Sequence, residues 1–365
     1  MEPIFDSAAN ALVANEAELT LCDRESIHLP GAIQPHCVLL ALDPEDLRII
    51  HAGGDTQGLL AASPQSLLGE NASRLFSQDQ VERLRTLANE PCTHRAVHPF
   101  SIASGAEGSA TSDVIAYRSS GLLLIELDPR REQSPSNPLE IIQTALRNIQ
   151  QADTSLAICQ SVVDEVRRIV GFDRIMFYRF LADGSGAVIA EATASNIDSF
   201  LGLHFPESDI PKQARELYRT NPIRAIPDAR YAPAPILSLP DAPSASTLDL
   251  SHSAIRSVSP IHRQYLANMG VVASMSMSIV IRGRLWGLVA CHHANPRYLP
   301  YNLREAFALL AQMVSSQLEA RASAESFEVQ KHSAKVHEEL LNRMSEEPEL
   351  AAGLVRFRPN LRDLI

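Results

Sequence analysis

No run of apolar residues in the chain approaches the roughly 20 that a membrane-spanning helix requires, so a membrane protein of that kind is not expected. The opening stretch, MEPIFDSAANALVANEAELT, is acidic. It has neither the basic start nor the long apolar centre of a secretory leader, and a cytoplasmic protein is the expectation. Positive charge is scarce: 32 Lys and Arg stand against 43 Asp and Glu, a formal net charge of −11. That disfavours nucleic-acid binding, which wants a basic face. There are five cysteines, Cys22, Cys37, Cys92, Cys159 and Cys291, and no pair lies at CxxC spacing. A zinc framework is therefore unsupported, and an odd count in a cytosolic chain argues against disulfides. No glycine-rich nucleotide loop of a kinase is present either, so no enzymatic activity is expected of this chain.

What is present suits a multidomain protein with real cores: 365 residues, 45% of them hydrophobic, point to two or three domains. After an extended N-terminal arm comes Ile27 to Leu42, IHLPGAIQPHCVLLAL, in which Pro-Gly and Gln-Pro-His are turn signals and Val38 to Leu42 reads as a buried strand. Leu47 to Gly54 is its hairpin partner. Short helical stretches follow at Ser63 to Phe76 and Gln78 to Asn89, then strand-like segments at Ala96 to Ile102, Ser112 to Arg118 and Gly121 to Leu127. Together they make a small α+β domain. The run DPRREQSPSNP, Asp128 to Pro138, reads as a linker.

A second domain begins with Asn137 as N-cap and Pro138 in the first turn. A further helix, Ser155 to Val170, sets Leu156, Cys159, Val163, Val166 and Val170 on one face and ends at Gly171. Strands are predicted at Arg174 to Leu181 and Ala187 to Ala192. Pro227 to Ser251, rich in Pro, Ala and Ser, is too long for an ordinary connector. Ser259 to Met269 reads as a helix. SMSMSIVI then alternates strictly, placing Ser274, Ser276 and Ser278 on one side and Met275, Met277 and Ile279 on the other. The strand LWGLVACHH returns from a turn at Arg282-Gly283. From Leu303 to Met344 the spacing predicts one long helix, with Phe307, Leu310, Met313, Val314 and Leu318 packing and a far more polar second half.

One stretch stands apart. His204 to Arg224, HFPESDIPKQARELYRTNPIR, gathers an acid, a phenol and several guanidinium groups beside apolar Phe200, Leu203 and Phe205. That mixture suits a pocket for a large, flat, anionic ligand. The same residues also have a plainer reading, in which Asp209 caps a helix, Tyr218 is half-core and the arginines are solvated.

Taken together, a cysteine in the arm before IHLPGAIQPH, then FPESDIPKQARELY, then SPIHRQYLANMGVVASMSMSIV and LWGLVACHH closely resemble the photosensory module of bacteriophytochromes. The resemblance covers nearly all of residues 20 to 345. It implies an α+β fold in two domains, each a central antiparallel sheet flanked by helices. The implied order is an arm (1–22), a PAS domain (23–128), a linker (129–138), a GAF domain (139–322), a long connecting helix (323–345) and the start of a PHY domain (346–365). The arm is expected to pass through a lasso formed by residues 227–257, giving a figure-of-eight knot. The implied cofactor is biliverdin IXα, supplied by a haem oxygenase and thioether-linked to Cys22. The plant-type attachment slot is occupied by Ile261.

By the same resemblance, Asp209, Ile210 and Pro211 form the motif that meets the bilin, and His262 stacks near the pyrrole nitrogens and titrates near neutral pH. His292 bonds the D-ring carbonyl, while Tyr178, Phe205, Tyr265 and Met176 surround that ring. Arg224 and Arg256 pair with the propionates, with Tyr218, Ser259, Ser274 and Ser276 as hydroxyl donors. His293 and His36 are expected to be neighbours rather than ligands. Two departures stand out. Cys37 replaces a common glycine and offers a second thiol for attachment. Glu207 replaces a small residue and adds an anion beside the pocket. The implied function is red/far-red light sensing by isomerisation at the D-ring methine bridge. The implied assembly is a homodimer through GAF and long helices, signalling to a kinase and response regulator outside this chain. With the PHY tongue absent, a stable red-absorbing state with incomplete far-red conversion is expected. The alternatives are a GAF module binding haem or a nucleotide without photochemistry, or the sensor half of a histidine kinase.

Overall fold

The computed structural model describes residues 25–90, 96–105, 108–131 and 137–346. Cys22, the rest of the arm and the last residues, expected to open a PHY domain, lie outside them, as do residues 132–136 of the expected linker.

The N-terminal part is built on strands β1 (Ala32–Ile33), β2 (Val38–Leu42), β3 (Ile49–Gly54), β4 (Val97–Ser104), β5 (Ala110–Ser119) and β6 (Leu122–Pro129). Helices α1 (Thr56–Leu60), α2 (Pro64–Leu67) and α3 (Gln78–Asn89) cover one face. The strand period of two sends Leu123, Ile125 and Leu127 towards Leu67 and Leu84 on that helical side. Leu124 turns to the opposite face, with Leu39, Ala41 and Tyr117. α3 starts where the sequence predicts because Ser77 and Gln80 form a reciprocal capping box.

The C-terminal part begins with α4 (Pro138–Ile149) and α5 (Ser155–Val170). Its sheet runs β10-β12-β13-β7-β8-β9, from β7 (Arg174–Phe180), β8 (Gly186–Thr193), β9 (His204–Phe205), β10 (Ile223–Ile226), β12 (Ala273–Ile281) and β13 (Arg284–His293). Met275, Met277 and Ile279 point to the helical side and are fully buried with Val163, Phe177 and Phe307. Helix α6 (Lys212–Thr220) lies over β12 and β13, and α7 (Pro260–Asn268) precedes β12. α8 runs unbroken from Tyr301 to Glu346. Among the described residues no helix is long and apolar enough to cross a membrane.

Several expectations change. Residues 227–251 are more than a connector: β11 (Ala234–Ser238) pairs with β3 and β1 and becomes a strand of the N-terminal sheet, in the order β1-β11-β3-β2-β6-β5-β4. The segment carrying β1 is held on its other side too, with Gln34 N–H donating to Ile255 O and Ser257 N–H to Ala32 O, at 2.8 and 3.1 Å. Residues 234–257 therefore flank it on both edges, the arrangement that the expected knot requires. Asp128 and Pro129 belong to β6, not to a linker. Asp128 is 1% exposed, ion-paired to Arg304 at the start of α8 and accepting from Tyr298 Oη. Leu156 and Met313, expected in the core, are 59% and 40% exposed. α6 starts at Lys212, with Pro211 in the N-cap position and no side-chain cap. Asp209 instead ends a short 3-10 turn, Glu207–Asp209.

Candidate functional site

A cleft lies between α6, α7 and the segment beginning at Glu25. It encloses about 1180 Å³, including space open to solvent. Its walls are mostly apolar, with a few convergent polar groups, which is how ligand sites are generally built.

One wall is the turn holding Asp209, Ile210 and Pro211, continued by Tyr218 on α6. Arg215 ties that turn down. Its Nε donates to Ile210 O at 2.6 Å, and one terminal nitrogen donates to Gly184 O at 2.7 Å and Glu207 O at 3.1 Å. Its guanidinium also lies 4.6 Å from the centre of the Phe180 ring. The facing wall is α7. Its N-cap Ser259 accepts from Ile261 N–H at 3.2 Å, and His262 and Tyr265 follow on the helix. Tyr265 Oη donates to Asp209 Oδ2 at 3.2 Å and so closes one end of the cleft. Burial raises the Asp209 carboxyl above its ordinary value, and the Tyr265 bond only partly offsets this. Burial together with the charge of Arg224 holds His262 down at about 4, so the imidazole is neutral at pH 7. Titration near neutrality, as expected from the sequence, would require a partner these residues do not supply.

Arg224, from β10, and Arg256 complete the site, each 8% exposed. Their partners are main-chain carbonyls: Arg224 donates to Ala254 O at 3.1 Å and also to Arg256 O, and Arg256 donates to Leu250 O at 3.2 Å. No carboxylate forms an ion pair with either among the described residues. Burial, then the neighbouring Arg224, brings Arg256 down to about 9. Buried charge is costly unless an opposite charge meets it. An anion would supply the opposite charge that this pair lacks among the described residues.

Met176, Tyr178, Phe205, Ser274, Ser276 and His292 are not in the cleft lining. α6 covers this face of the sheet, where Met176, Tyr178 and Phe205 pack in one apolar cluster with Ile210 and Tyr218. Ser274 pairs in register with Ile226 and His292, and Ser276 with Arg224. His292 is held down at about 3, first by burial and then by Arg174 and His262, and its Nδ1 has no partner.

The structure places both sequence departures. Cys37 is fully buried, its Sγ 3.8 Å from Asp128 Oδ1, and burial pushes its thiol well up. Only the thiolate is a competent nucleophile, so this burial disfavours attachment at Cys37. Glu207 is exposed and lies against Gly184 rather than in the cleft. His293 pairs with Asp173 at 2.6 Å and stacks on Phe172. His36 is a turn residue set edge-on to Tyr298.

Among the residues that sequence reasoning gave no role, Glu25 and Arg215 matter here for their hydrogen bonds. Glu25 lines the cleft and accepts from Ser259 Oγ at 2.5 Å, so Ser259 is already engaged. An acid three positions after Cys22 was the available signal. Arg215, noticed without a role, is the clamp of the Asp209 turn.

Comparison with known proteins agrees with this architecture. Residues 22–130 match the PAS fold and residues 155–321 the GAF domain. Cyanobacterial phytochrome B of Nostoc sp. is 41% identical over 96% of this chain and 47% of its own length. The bacteriophytochrome of Pseudomonas aeruginosa is 39% identical over 82% of this chain and 41% of its own length. The wild-type chromophore-binding domain of Stigmatella aurantiaca phytochrome P1 superposes with a TM-score of 0.74 at 42% identity, covering 81% of this chain and 98% of that one. The chain belongs to the bacteriophytochrome family. The Stigmatella aurantiaca phytochrome photosensory core module extends the likeness, with a TM-score of 0.82 at 39% identity over 97% of this chain and 69% of that structure. This bacteriophytochrome chain spans about half the length of the curated relatives it matches.

Proposed function

We propose that the chain is the chromophore-binding part of a red/far-red light receptor. In this reading the cleft holds a bilin, biliverdin IXα, as a thioether of Cys22. The observation that carries the reading is the buried pair Arg224 and Arg256, ion-paired to no carboxylate among the described residues, in a cleft also lined by Asp209, His262 and Tyr265. Guanidinium groups suit the two propionates of a bilin because they pair bidentately with carboxylate. A bound bilin supplies red-light absorption and isomerisation at its D-ring methine bridge.

The protein's part is to hold and orient. Arg224 and Arg256 take the carboxylates. The Asp209 main-chain carbonyl and neutral His262 offer acceptors to pyrrole N–H groups, and the Asp209 carboxylate and Tyr265 hydroxyl form a hydrogen-bonded pair that can change partners. Tyr178, Phe205 and Met176 bound the space for the D ring, with His292 at its carbonyl; Ser274 and Ser276 are polar groups beneath α6. α8 leads away from this site and would carry a change to an output domain, a histidine kinase acting on a response regulator. A haem oxygenase would supply the bilin. Exposed Leu139, Leu156, Leu309 and Met313, on α4, α5 and α8, fit a homodimer through these helices.

The test is to mix purified protein with biliverdin, record a spectrum, and run a denaturing gel with zinc-enhanced bilin fluorescence for wild type and Cys22→Ala. A red band, with a fluorescent protein band lost in the variant, is the expected result. Absence of colour would overturn the reading and leave a GAF module for haem or a nucleotide.

A further inference from the structure

Gly186 opens β8, paired with Phe180 on one side and Phe205 on the other. Its φ lies outside the left-handed region, so its backbone does not require glycine. The requirement comes from a neighbour. A Cβ at Gly186 would lie 2.0 Å from Cζ and 2.1 Å from Oη of Tyr178, well inside van der Waals contact. The phenol is laid diagonally across the glycine, a packing known to compensate for glycine in sheets. Phe180 meets the same ring edge-on at 5.3 Å, and Phe205 lies 6.1 Å away. Tyr178 Oη is buried with no hydrogen-bond partner. Tyr178 also belongs to the cluster that includes Ile210 and Tyr218 of the cleft wall.

We infer that Gly186 is a positioning residue for the chromophore: the space left by its missing side chain is the slot that holds the Tyr178 ring, and so fixes how much room remains beside Asp209 and Ile210. This rests on the light-receptor reading above. With the slot filled, the ring must take another rotamer on the same face of the sheet, under α6. Interiors are close-packed, so the displaced phenol narrows the space in which a ring could turn.

The experiment uses the chain reconstituted with biliverdin, with conversion under red light and fluorescence both normalised to bound bilin. Gly186→Ala is expected to lower the conversion yield by about threefold or more, the effect of one forced rotamer change, and to raise fluorescence. Equal yields in wild type and G186A would overturn the inference. Tyr178→Leu removes the clashing ring, so Y178L/G186A must convert like Y178L alone, and this comparison holds even if G186A by itself fails to fold. A drop of the same size in the Y178L background would show that Gly186 acts on the fold and would also overturn it. Failure of wild type to take up biliverdin would overturn the light-receptor reading, and this inference with it.

Discussion

Two of the places that bury arginine treat the charge in opposite ways. Where the PAS sheet meets the first turn of α8, Arg304 is paired with Asp128, which also accepts from Tyr298, and both members of the ion pair are nearly inaccessible. Asp128 raises Arg304 against the opposing effect of burial. In the cleft, Arg224 and Arg256 are as deeply buried, yet they have only carbonyl dipoles, and burial lowers both. The first arrangement is complete and holds two domains together. The second is left incomplete at a cost in stability, which a ligand can recover. The lesson is that the count of buried charges says little, whereas their pairing separates a structural joint from a binding site.

The comparison breaks most visibly at the joint. Arg304→Met leaves Asp128 buried and unpaired and should cost about 3–5 kcal/mol in chemical denaturation, whereas replacing both partners, Asp128→Leu with Arg304→Met, should recover most of that loss. In the cleft the sign reverses. Arg256→Met removes an unmatched charge, so the ligand-free protein should melt at an equal or higher temperature while biliverdin binding, followed by titration, weakens by about tenfold or more.

A pH series sharpens the same contrast. His262 and His292 have folded-state values of about 4 and about 3, below the ordinary imidazole value near 6.5. Below that ordinary value the unfolded chain therefore binds protons that the folded protein refuses. Stability is fully present above pH 6.5 and should fall as pH drops towards 4, and His292→Asn should flatten that fall in urea midpoints measured across the range. The smallest effect belongs to Asp209, whose raised value means that ionising it disfavours folding. Asp209→Asn should raise the ligand-free melting temperature at pH 7 by about 1–2 °C, a gain that is lost as pH falls through the folded value and then through the unfolded value near 3.9, below which the carboxyl is protonated in both states.

Elements marked by local signals were legible in the sequence. α3 and α5 begin and end where Ser77, Thr154 and Gly171 supply caps, and the alternation in SMSMSIVI assigned both faces of β12 correctly. β11 was not legible. Its pairing partners lie in β3 and β1, far away in sequence, and Ala234 to Ser238 carries no periodicity of its own. Asp128 looked like linker for a related reason: a polar residue announces exposure unless its partner is visible, and Arg304 is distant. In the site, residues on recurring motifs could be placed by resemblance, and the structure brings Asp209, Tyr265, His262 and the two arginines together at one cleft. Glu25 and Arg215 escaped because the one lies in the arm segment and the other bonds to main-chain carbonyls, which leave no mark on residue type.

The strand that GAF lends to the PAS sheet also has a bearing on how the protein is made. Ile236 pairs with Gly53, about 180 residues earlier, and the β1 strand in turn depends on β11. A ribosome adding roughly 5–20 residues per second takes on the order of ten to forty seconds to cover that distance. During that interval the nascent N-terminal sheet must wait with its β3 edge unpaired, so the edge most open to misassembly is closed only when translation has passed well into the second domain.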